Sequence, residues 1–318
     1  MPRVFGRTVR RRTLVICGVV LGVAALSLPY AQKTFTLARA GTAYSAKMLC
    51  SGVLMAGMNA ERLKREELSL AQGLIKTKID SNQGVVHAWA FAGLVRGAAV
   101  RQGNLGCSQV IANKQVVRLP DQTRQQPTDP NTTKTPWKLY PDASETPPRI
   151  DQNKLETAIS QAFQESTPSA PKRTRAIVVV KDGWVVAERY AVGITPKTPL
   201  IGWSMTKSLT HALIGIGVQK GELQLNESLL LPEWRTDNDA RQMITLDHLL
   251  RMNSGLAFDE QTRSLDSDLV KMLTQEANTG RFASNKPLTG RIGRDWSYSS
   301  GTTNILSRGL RLAINNDR

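Results

Sequence analysis

The sequence predicts an α+β fold for the second half of the chain. A helical pattern at residues 154–164 precedes two β-rich runs, 175–180 and 184–190, and further helical patterns follow them. Between the two runs lies Asp182-Gly183, a dipeptide that strongly favours a two-residue hairpin turn. A helix, an antiparallel hairpin and then several helices are typical of α+β domains rather than of alternating βαβ units.

The composition is that of a folded protein with a mildly basic surface. The 318 residues allow about two domains, and 41% of them are hydrophobic, which excludes wholesale disorder. The formal net charge is +16, but five of the arginines lie in residues 3–12 and the remaining excess is scattered. No stripe of Lys and Arg alternates with aromatic residues in the sequence, so we expect no nucleic-acid partner.

An uncharged apolar run occupies residues 13–31, directly after these arginines. As a helix it would span roughly 28 Å, close to the ~30 Å hydrocarbon core of a bilayer. Basic residues before the run predict a single inner-membrane span, with the rest of the chain in the periplasm. A cleaved signal peptide is the alternative, and we favour the uncleaved anchor because Pro29 lies close to the best cleavage site, after Ala31.

The region between this segment and the α+β unit consists of an N-terminal extension followed by a Pro-rich linker. Seven of the fifteen prolines fall within residues 120–148 among polar residues, a composition typical of an extended linker. Residues 42–55 are predicted to be helical, and the weak periodicity around them predicts no particular fold. The predicted divisions are a basic cytoplasmic stub at 1–12, the membrane segment at 13–31, an N-terminal extension at 32–119, a Pro-rich linker at 120–149 and the α+β domain at 150–318.

The cysteines predict one disulfide if the chain is exported. Cys17 lies within the apolar run, which leaves Cys50 and Cys107 as the pair in an oxidising compartment. Two separate buried thiols are the alternative. We expect no metal site, because no second cysteine or histidine lies at ligand spacing near either residue.

Three further helices are predicted in the α+β domain. One runs from 204 to 219 and is closed by Gly221. The next has Thr245 as its N-cap and stops at Gly255. The last, at 303–313, follows a short polar loop.

Ser204 and Lys207 are the candidate nucleophile and its base. Residues three apart on a helix lie on one face, so the Lys207 amine can reach the Ser204 hydroxyl. A serine becomes an effective nucleophile only when a base takes its proton. At the start of a helix the backbone N–H groups lack partners, so the N–H of Ser204 could also stabilise an oxyanion.

A chance match is the alternative for this pair, since Ser169 and Lys172 repeat the spacing. Pro171 would break the helix that must align that second pair. Support for Ser204 comes from Tyr298 and Ser300 in the polar loop before the last helix. A tyrosine phenol can transfer a proton if a neighbouring ammonium lowers its pKa, and Ser300 could hydrogen-bond the lysine or the substrate.

With these motifs the chain resembles the class C β-lactamase-like serine hydrolases, in particular the branch of 6-aminohexanoate-dimer hydrolases, esterases and D-amino-acid peptidases. The matching segments are IGWSMTKS at 201–208, ITLDHLLRMNSGL at 244–256 and WSYSSGTTNILS at 296–307. The resemblance implies a β-lactamase/penicillin-binding-type fold, with an antiparallel sheet and a helical domain. It implies that Ser204 is acylated, that Lys207 accepts its proton, and that Tyr298 is the tyrosine of the Tyr-x-Asn/Ser element. The implied substrate is a small-molecule amide or ester, and no cofactor is implied.

Two departures from the family pattern bear on activity. Penicillin-acting branches usually have Asn where Ser300 stands, so β-lactamase activity is not favoured. The family's Lys-Thr-Gly or His-x-Gly strand element lies well after the tyrosine, whereas residues 286–290 precede it and are predicted to be loop. The resemblance therefore implies an incomplete domain, and a non-catalytic, truncated, membrane-anchored relative is the alternative function.

Other kinds of active site fit the sequence poorly. The residues around Ser204 lack the second glycine of a Gly-x-Ser-x-Gly nucleophile elbow. His211 lies two turns further along the same predicted helix, too far for a hydrogen bond to Ser204. The sequence also lacks a Gly-rich phosphate loop and a metal-binding cluster of Cys and His.

Overall fold

The computed structural model describes residues 30–71, 73–111, 148–167, 171–226, 228, 231–236, 238–262, 264 and 266–315. These residues form two antiparallel sheets and a cluster of helices. The predicted α+β class is confirmed.

The N-terminal extension has a fold that the sequence patterns did not predict. Helix α1 is described from 30 to 49 and continues into a π-helical turn, Cys50–Met55, so the predicted helix at 42–55 is confirmed. After α2 the chain forms a four-stranded antiparallel sheet in the order β1-β2-β3-β4. The elements are α2 Ala60–Glu67, β1 Lys76–Asp80, β2 Val85–Ala90, β3 Val95–Arg101 and β4 Cys107–Val110.

Small side chains explain how α1 lies on this sheet. Ala46 on α1 and Ala99 on β3 are fully buried in the same apolar cluster. Gly97 on β3 permits the close approach, because a Cβ there would lie only 2.7 Å from the carbonyl carbon of Thr42. Alanine and glycine carry little of the apolar periodicity by which helices and strands are predicted, so the sequence pattern was weak here.

The predicted disulfide is present and joins the end of α1 to β4. Cys50 lies at the start of the π-helical turn, and Cys107 is the first residue of β4. The covalent link therefore fixes the helix to the strand at the far edge of the sheet.

The hairpin is built as its sequence predicts. Helix α3, Gln152–Phe163, precedes strands β5, Ala176–Lys181, and β6, Trp184–Tyr190, which pair antiparallel. The turn residues Asp182 and Gly183 have φ of 51° and 83°. Both values lie in the left-handed region, which a two-residue hairpin turn of this type requires.

The remaining helices enclose the larger core. They are α4 Met205–Gln219, α5 Leu246–Leu250, α6 Asp268–Thr274, α7 Thr279–Ser284 and α8 Ser300–Ile314. Helix α8 contacts α4, α5, α6 and α7. Its buried Ile305 shares one apolar cluster with Ile214 of α4, Leu249 of α5 and Trp234. Helix α8 is thus the central helix of this cluster.

Helix α5 begins where predicted but ends early. Thr245 is its N-cap and accepts a hydrogen bond from the N–H of His248, 3.2 Å away. The helix was expected to continue to Gly255, and this prediction was wrong, since α5 ends at Leu250. Met252 adopts φ of 57°, which leaves the helical region, and the carbonyl of Asn253 accepts instead from the N–H of Gly293 at 2.8 Å.

Arginine side chains tie the extension to the hairpin. The Arg175 guanidinium, before β5, binds the carboxylates of Glu66 and Glu67 in α2 at 3.1 and 2.6 Å. Arg62 of α2 donates to the carbonyl of Val192, after β6, at 2.6 Å. The chain is therefore bound to α2 both where it enters the hairpin and where it leaves it.

Two predicted segments lie outside the described residues. The apolar run 13–31 is described only at its last two residues, and the Pro-rich linker 120–149 only at 148 and 149. Within the described ranges, no helix combines the length and apolar character needed to cross a bilayer. The membrane segment and the linker remain predictions.

We predict that Trp234→Ala is among the most damaging single changes to the helical core. Trp234 is fully buried, and its indole N–H donates to the carbonyl of Ser284 at 2.9 Å. Loss of its apolar contacts and the resulting cavity should lower the free energy of unfolding by about 3–5 kcal/mol. Chemical denaturation followed by circular dichroism measures this value.

The matched control is Trp296→Ala, because Trp296 is 69% exposed. We expect that change to alter the free energy of unfolding by less than about 0.5 kcal/mol. Equal destabilisation by the two substitutions would contradict the assignment of Trp234 to the core.

Candidate active site

The turn before α4 presents Ser204 at the start of the helix. Trp203 has φ of 43°, a left-handed conformation that is uncommon for a bulky residue. The turn is held by the hydrogen bond from the N–H of Met205 to the carbonyl of Gly202, at 3.0 Å. The Thr206 N–H and hydroxyl also donate to the carbonyl of Trp203, at 3.1 and 2.6 Å. Ser204 therefore occupies the N-cap position, with Lys207 one turn above it.

Four predicted site residues meet at this point. The Lys207 ammonium donates to Ser204 Oγ at 3.1 Å and to Ser300 Oγ at 3.0 Å. The Tyr298 hydroxyl lies 2.9 Å from Ser204 Oγ. Lys207 Nζ also lies 4.7 Å from the centroid of the Tyr298 ring, within the range of a cation–π contact. A serine oxygen thus has two proton-transfer groups within hydrogen-bonding distance.

The loop that carries Tyr298 is fixed by backbone hydrogen bonds to the turn after α5. The N–H of Ser297 donates to the carbonyl of Met252 at 2.9 Å, and the N–H groups of Thr289 and Gly290 donate to that of Gly255. Gly255 is required there, because its φ is 76° and a Cβ would lie 2.6 Å from the carbonyl oxygen of Gly290. The Asn-Ser-Gly turn therefore has a structural role.

The start of α8 fixes Ser300. Ser299 is the N-cap, and its hydroxyl accepts from the N–H of Thr302 at 3.0 Å. Ser300 follows as the first helical residue. Because Tyr298 and Ser300 flank this cap, the beginning of α8 determines where both side chains lie.

Glu260 is a residue of the cluster that sequence reasoning missed. Its carboxylate accepts from the N–H of Ser300 at 2.8 Å and also from the Ser300 hydroxyl. The neighbouring Phe258 packs against the start of α8, where a Cβ on Gly301 would lie 2.5 Å from the phenyl ring. An acidic residue near the N-terminus of a helix is favourable, but 40 residues separate Glu260 from Ser300. No local pattern connects the two.

The charges around Tyr298 act in opposite directions on its phenol. The Lys207 side chain and the hydrogen bond with Ser204 lower the pKa of Tyr298 below its ordinary value of 10.0. Desolvation and the negative charge of Glu260 raise the pKa of Tyr298, but they do not cancel the lowering. The phenolate that could accept the Ser204 proton therefore forms at a lower pH than for an ordinary tyrosine.

The other candidate residues have different surroundings. His248 completes the capping box of α5, and His211 is exposed on α4. The Lys286 ammonium binds Asp268 at 2.5 Å and lies over the ring of Phe282. Residues 286–290 form no helix and only an isolated β-bridge at Leu288, so the predicted loop is confirmed. Ser169 lies outside the described residues. Within the described part of the chain, no group of three or more acidic, His or Cys side chains could hold a metal ion.

Comparison with known proteins finds a match over the α+β half of the chain. Residues 163–313 match the family model described as β-lactamase. A protein from Bacillus anthracis proposed to be a 6-aminohexanoate-dimer hydrolase is similar in structure, with 19% identity and a TM-score of 0.39, and the match covers 51% of this chain and 43% of that one. A proposed β-lactamase from Bacteroides dorei gives 20% identity and a TM-score of 0.38, covering 52% of this chain and 46% of that one.

This chain therefore aligns with less than half the length of either solved structure. The comparison with curated proteins gave no significant match. The region that matches the family model contains Ser204, Lys207, Tyr298 and Ser300. The family resemblance predicted from the sequence is thereby confirmed for residues 163–313, which match the β-lactamase family model.

Proposed function

We propose that this protein is a serine hydrolase that cleaves an amide or ester bond through an acyl-enzyme on Ser204. The observation that carries the proposal is that Ser204 Oγ lies within hydrogen-bonding distance of both Lys207 Nζ and the Tyr298 hydroxyl. A serine hydroxyl needs a base at this distance to become nucleophilic. The β-lactamase family match supports a hydrolase.

The proposed reaction begins with transfer of the Ser204 proton. Tyr298 in its phenolate form, or Lys207 as a neutral amine, takes this proton while Ser204 Oγ attacks the carbonyl carbon. The same group returns the proton to the departing amine or alcohol as its bond to the carbonyl carbon breaks. Water then attacks the carbonyl carbon of the acyl-enzyme and gives a proton to the base, which passes it to Ser204 Oγ as the bond between that oxygen and the carbonyl carbon breaks. The N–H of Ser204, at the start of α4, is a donor for the oxyanion.

Two features favour an accessible small-molecule substrate. Ser204 is exposed, and Trp203 and Trp296, which are close in sequence to Ser204 and Tyr298, are 56% and 69% exposed. Ser300 stands where penicillin-acting relatives usually have asparagine, which favours ordinary amides and esters over β-lactams.

We propose that the site faces the periplasm, with residues 13–31 as the membrane anchor. The disulfide is consistent with an oxidising compartment.

We predict that an activated ester or fluorophosphonate labels Ser204. Substitution Ser204→Ala should abolish the adduct, and Lys207→Ala should slow labelling by about 10²–10⁴-fold, the usual contribution of a general base. Mass spectrometry of the peptide containing Ser204 identifies the adduct, and samples quenched at successive times give the rate of labelling.

Ser208→Ala is the matched control for this experiment, because Ser208 lies on the same helix and is exposed. It should be labelled at the wild-type rate. A folded wild-type protein without an adduct on Ser204 would favour the non-catalytic relative instead.

We also predict that Lys207→Met raises the pKa of Tyr298. Since Lys207 is the largest cause of the lowered pKa, its removal leaves only the hydrogen bond with Ser204 to lower the pKa of Tyr298, against desolvation and Glu260, which both raise it. The midpoint for phenolate formation should therefore move to higher pH. NMR titration with ring-labelled tyrosine measures the midpoint, and Tyr298→Phe assigns the signal.

Lys220→Met serves as the control for the charge change, because Lys220 is exposed at the other end of α4. The Tyr298 midpoint should not move in that variant. An unchanged midpoint in Lys207→Met would rule out the lysine as the source of the shift.

A further inference from the structure

We infer that Glu260 is a positioning residue that sets the direction of the hydrogen bonds reaching the Lys207 amine through Ser300. The inference deepens the proposed function, since it concerns the base that acts on Ser204. It rests on the chain of contacts Glu260–Ser300–Lys207–Ser204.

The direction of each bond follows from the chemistry of the groups. An ionised carboxylate can only accept hydrogen bonds, so the hydroxyl hydrogen of Ser300 must point to Glu260. Ser300 Oγ then has only lone pairs left for Lys207, whose Nζ lies 3.0 Å away. Lys207 must therefore donate to Ser300 in either of its protonation states.

This constraint keeps the lysine lone pair free of Ser300. A neutral amine has two N–H groups and one lone pair. With one N–H committed to Ser300, the lone pair is available for the proton of Ser204, whose Oγ lies 3.1 Å from the amine. Glu260 thus keeps the Lys207 lone pair available to accept the proton of Ser204.

The backbone N–H of Ser300 ensures that Glu260→Gln reverses the direction of the hydrogen bonds from Lys207 through Ser300 to residue 260. The N–H of Ser300 donates to Glu260 at 2.8 Å, and a backbone N–H can only donate. The new amide must therefore turn its oxygen to that N–H and its NH₂ group to Ser300 Oγ. The Ser300 hydroxyl would then donate to the lone pair of Lys207, in competition with Ser204.

A purely structural role for Glu260 is the alternative, because its carboxylate also binds the N-terminus of α8. Such a role would affect stability in Glu260→Gln but would not depend on the Ser300 hydroxyl. Two variants separate the alternatives. Ser300→Ala removes the hydroxyl and keeps the backbone N–H that Glu260 binds, so the helix start is preserved.

The experiment is trace acetylation of Lys207 with acetic anhydride, measured by tandem mass spectrometry across a pH series in the folded full chain. We expect Glu260→Gln to lower the reactivity of Lys207 on the alkaline plateau by about three- to tenfold, the effect of one hydrogen bond to its lone pair. In the Ser300→Ala background the same substitution should have no further effect. Glu276→Gln is the control, since it makes the same chemical change at a glutamate in a different surface pocket, which Phe282 and Lys286 also line.

Either of two results would overturn the inference: unchanged Lys207 reactivity in Glu260→Gln, or an equal effect of that change with and without the Ser300 hydroxyl. If Glu260→Gln does not fold, Ser300→Ala alone decides: loss of the acceptor of one Lys207 N–H should change the reactivity of Lys207 on the alkaline plateau, and unchanged reactivity there overturns the inference. Labelling of Ser204 is measured in the same samples. The two proposals can therefore fail separately. If Lys207 reactivity depends on Glu260 but the wild type forms no Ser204 adduct, the proposed hydrolase is refuted and the inference stands.

Discussion

The contact between α4 and α8 is the constraint on which the site depends. Ser204 and Lys207 lie at the start of α4, whereas Tyr298 precedes the N-cap of α8 and Ser300 is the first residue of that helix. Ile214 and Ile305 are buried in the core that joins the two helices. Because all four site residues lie at or beside a helix start, a shift of either helix along the other would separate the Tyr298 and Ser300 hydroxyl groups from Ser204 and Lys207.

Local sequence predicted those parts of the fold whose cause is local. The Asp182-Gly183 turn, the Thr245 cap and the Ser204–Lys207 spacing each depend on a few adjacent residues, and the structure has them as predicted. The N-terminal sheet was not predictable, because alanines such as Ala88 and Ala99 occupy much of its buried face and leave little apolar periodicity. Glu260 was missed for a different reason: its role exists only once the chain brings it to the start of α8.

The opposite charges of Lys207 and Glu260 have opposing effects on the pKa of Tyr298. A lysine alone beside the phenol favours the phenolate, whereas Glu260 opposes it. The carboxylate also fixes the hydroxyl of Ser300 and so the donor that faces Lys207. The same group therefore opposes the ionisation of Tyr298 and fixes the hydroxyl that faces Lys207, the two residues that take the proton in the proposed mechanism.

Hydrogen bonds, more than burial, hold the proposed nucleophile in place. Helix α4 is buried at Ile214 and Gly217, but Leu209, near Ser204, is 60% exposed, and Ser204 itself is exposed. Water near an open site weakens electrostatic interactions relative to a closed one. Under these conditions the alignment of the Lys207 lone pair cannot rely on a tightly packed pocket. The contacts from Glu260 through Ser300 supply that alignment from the better-packed α8 side of the site.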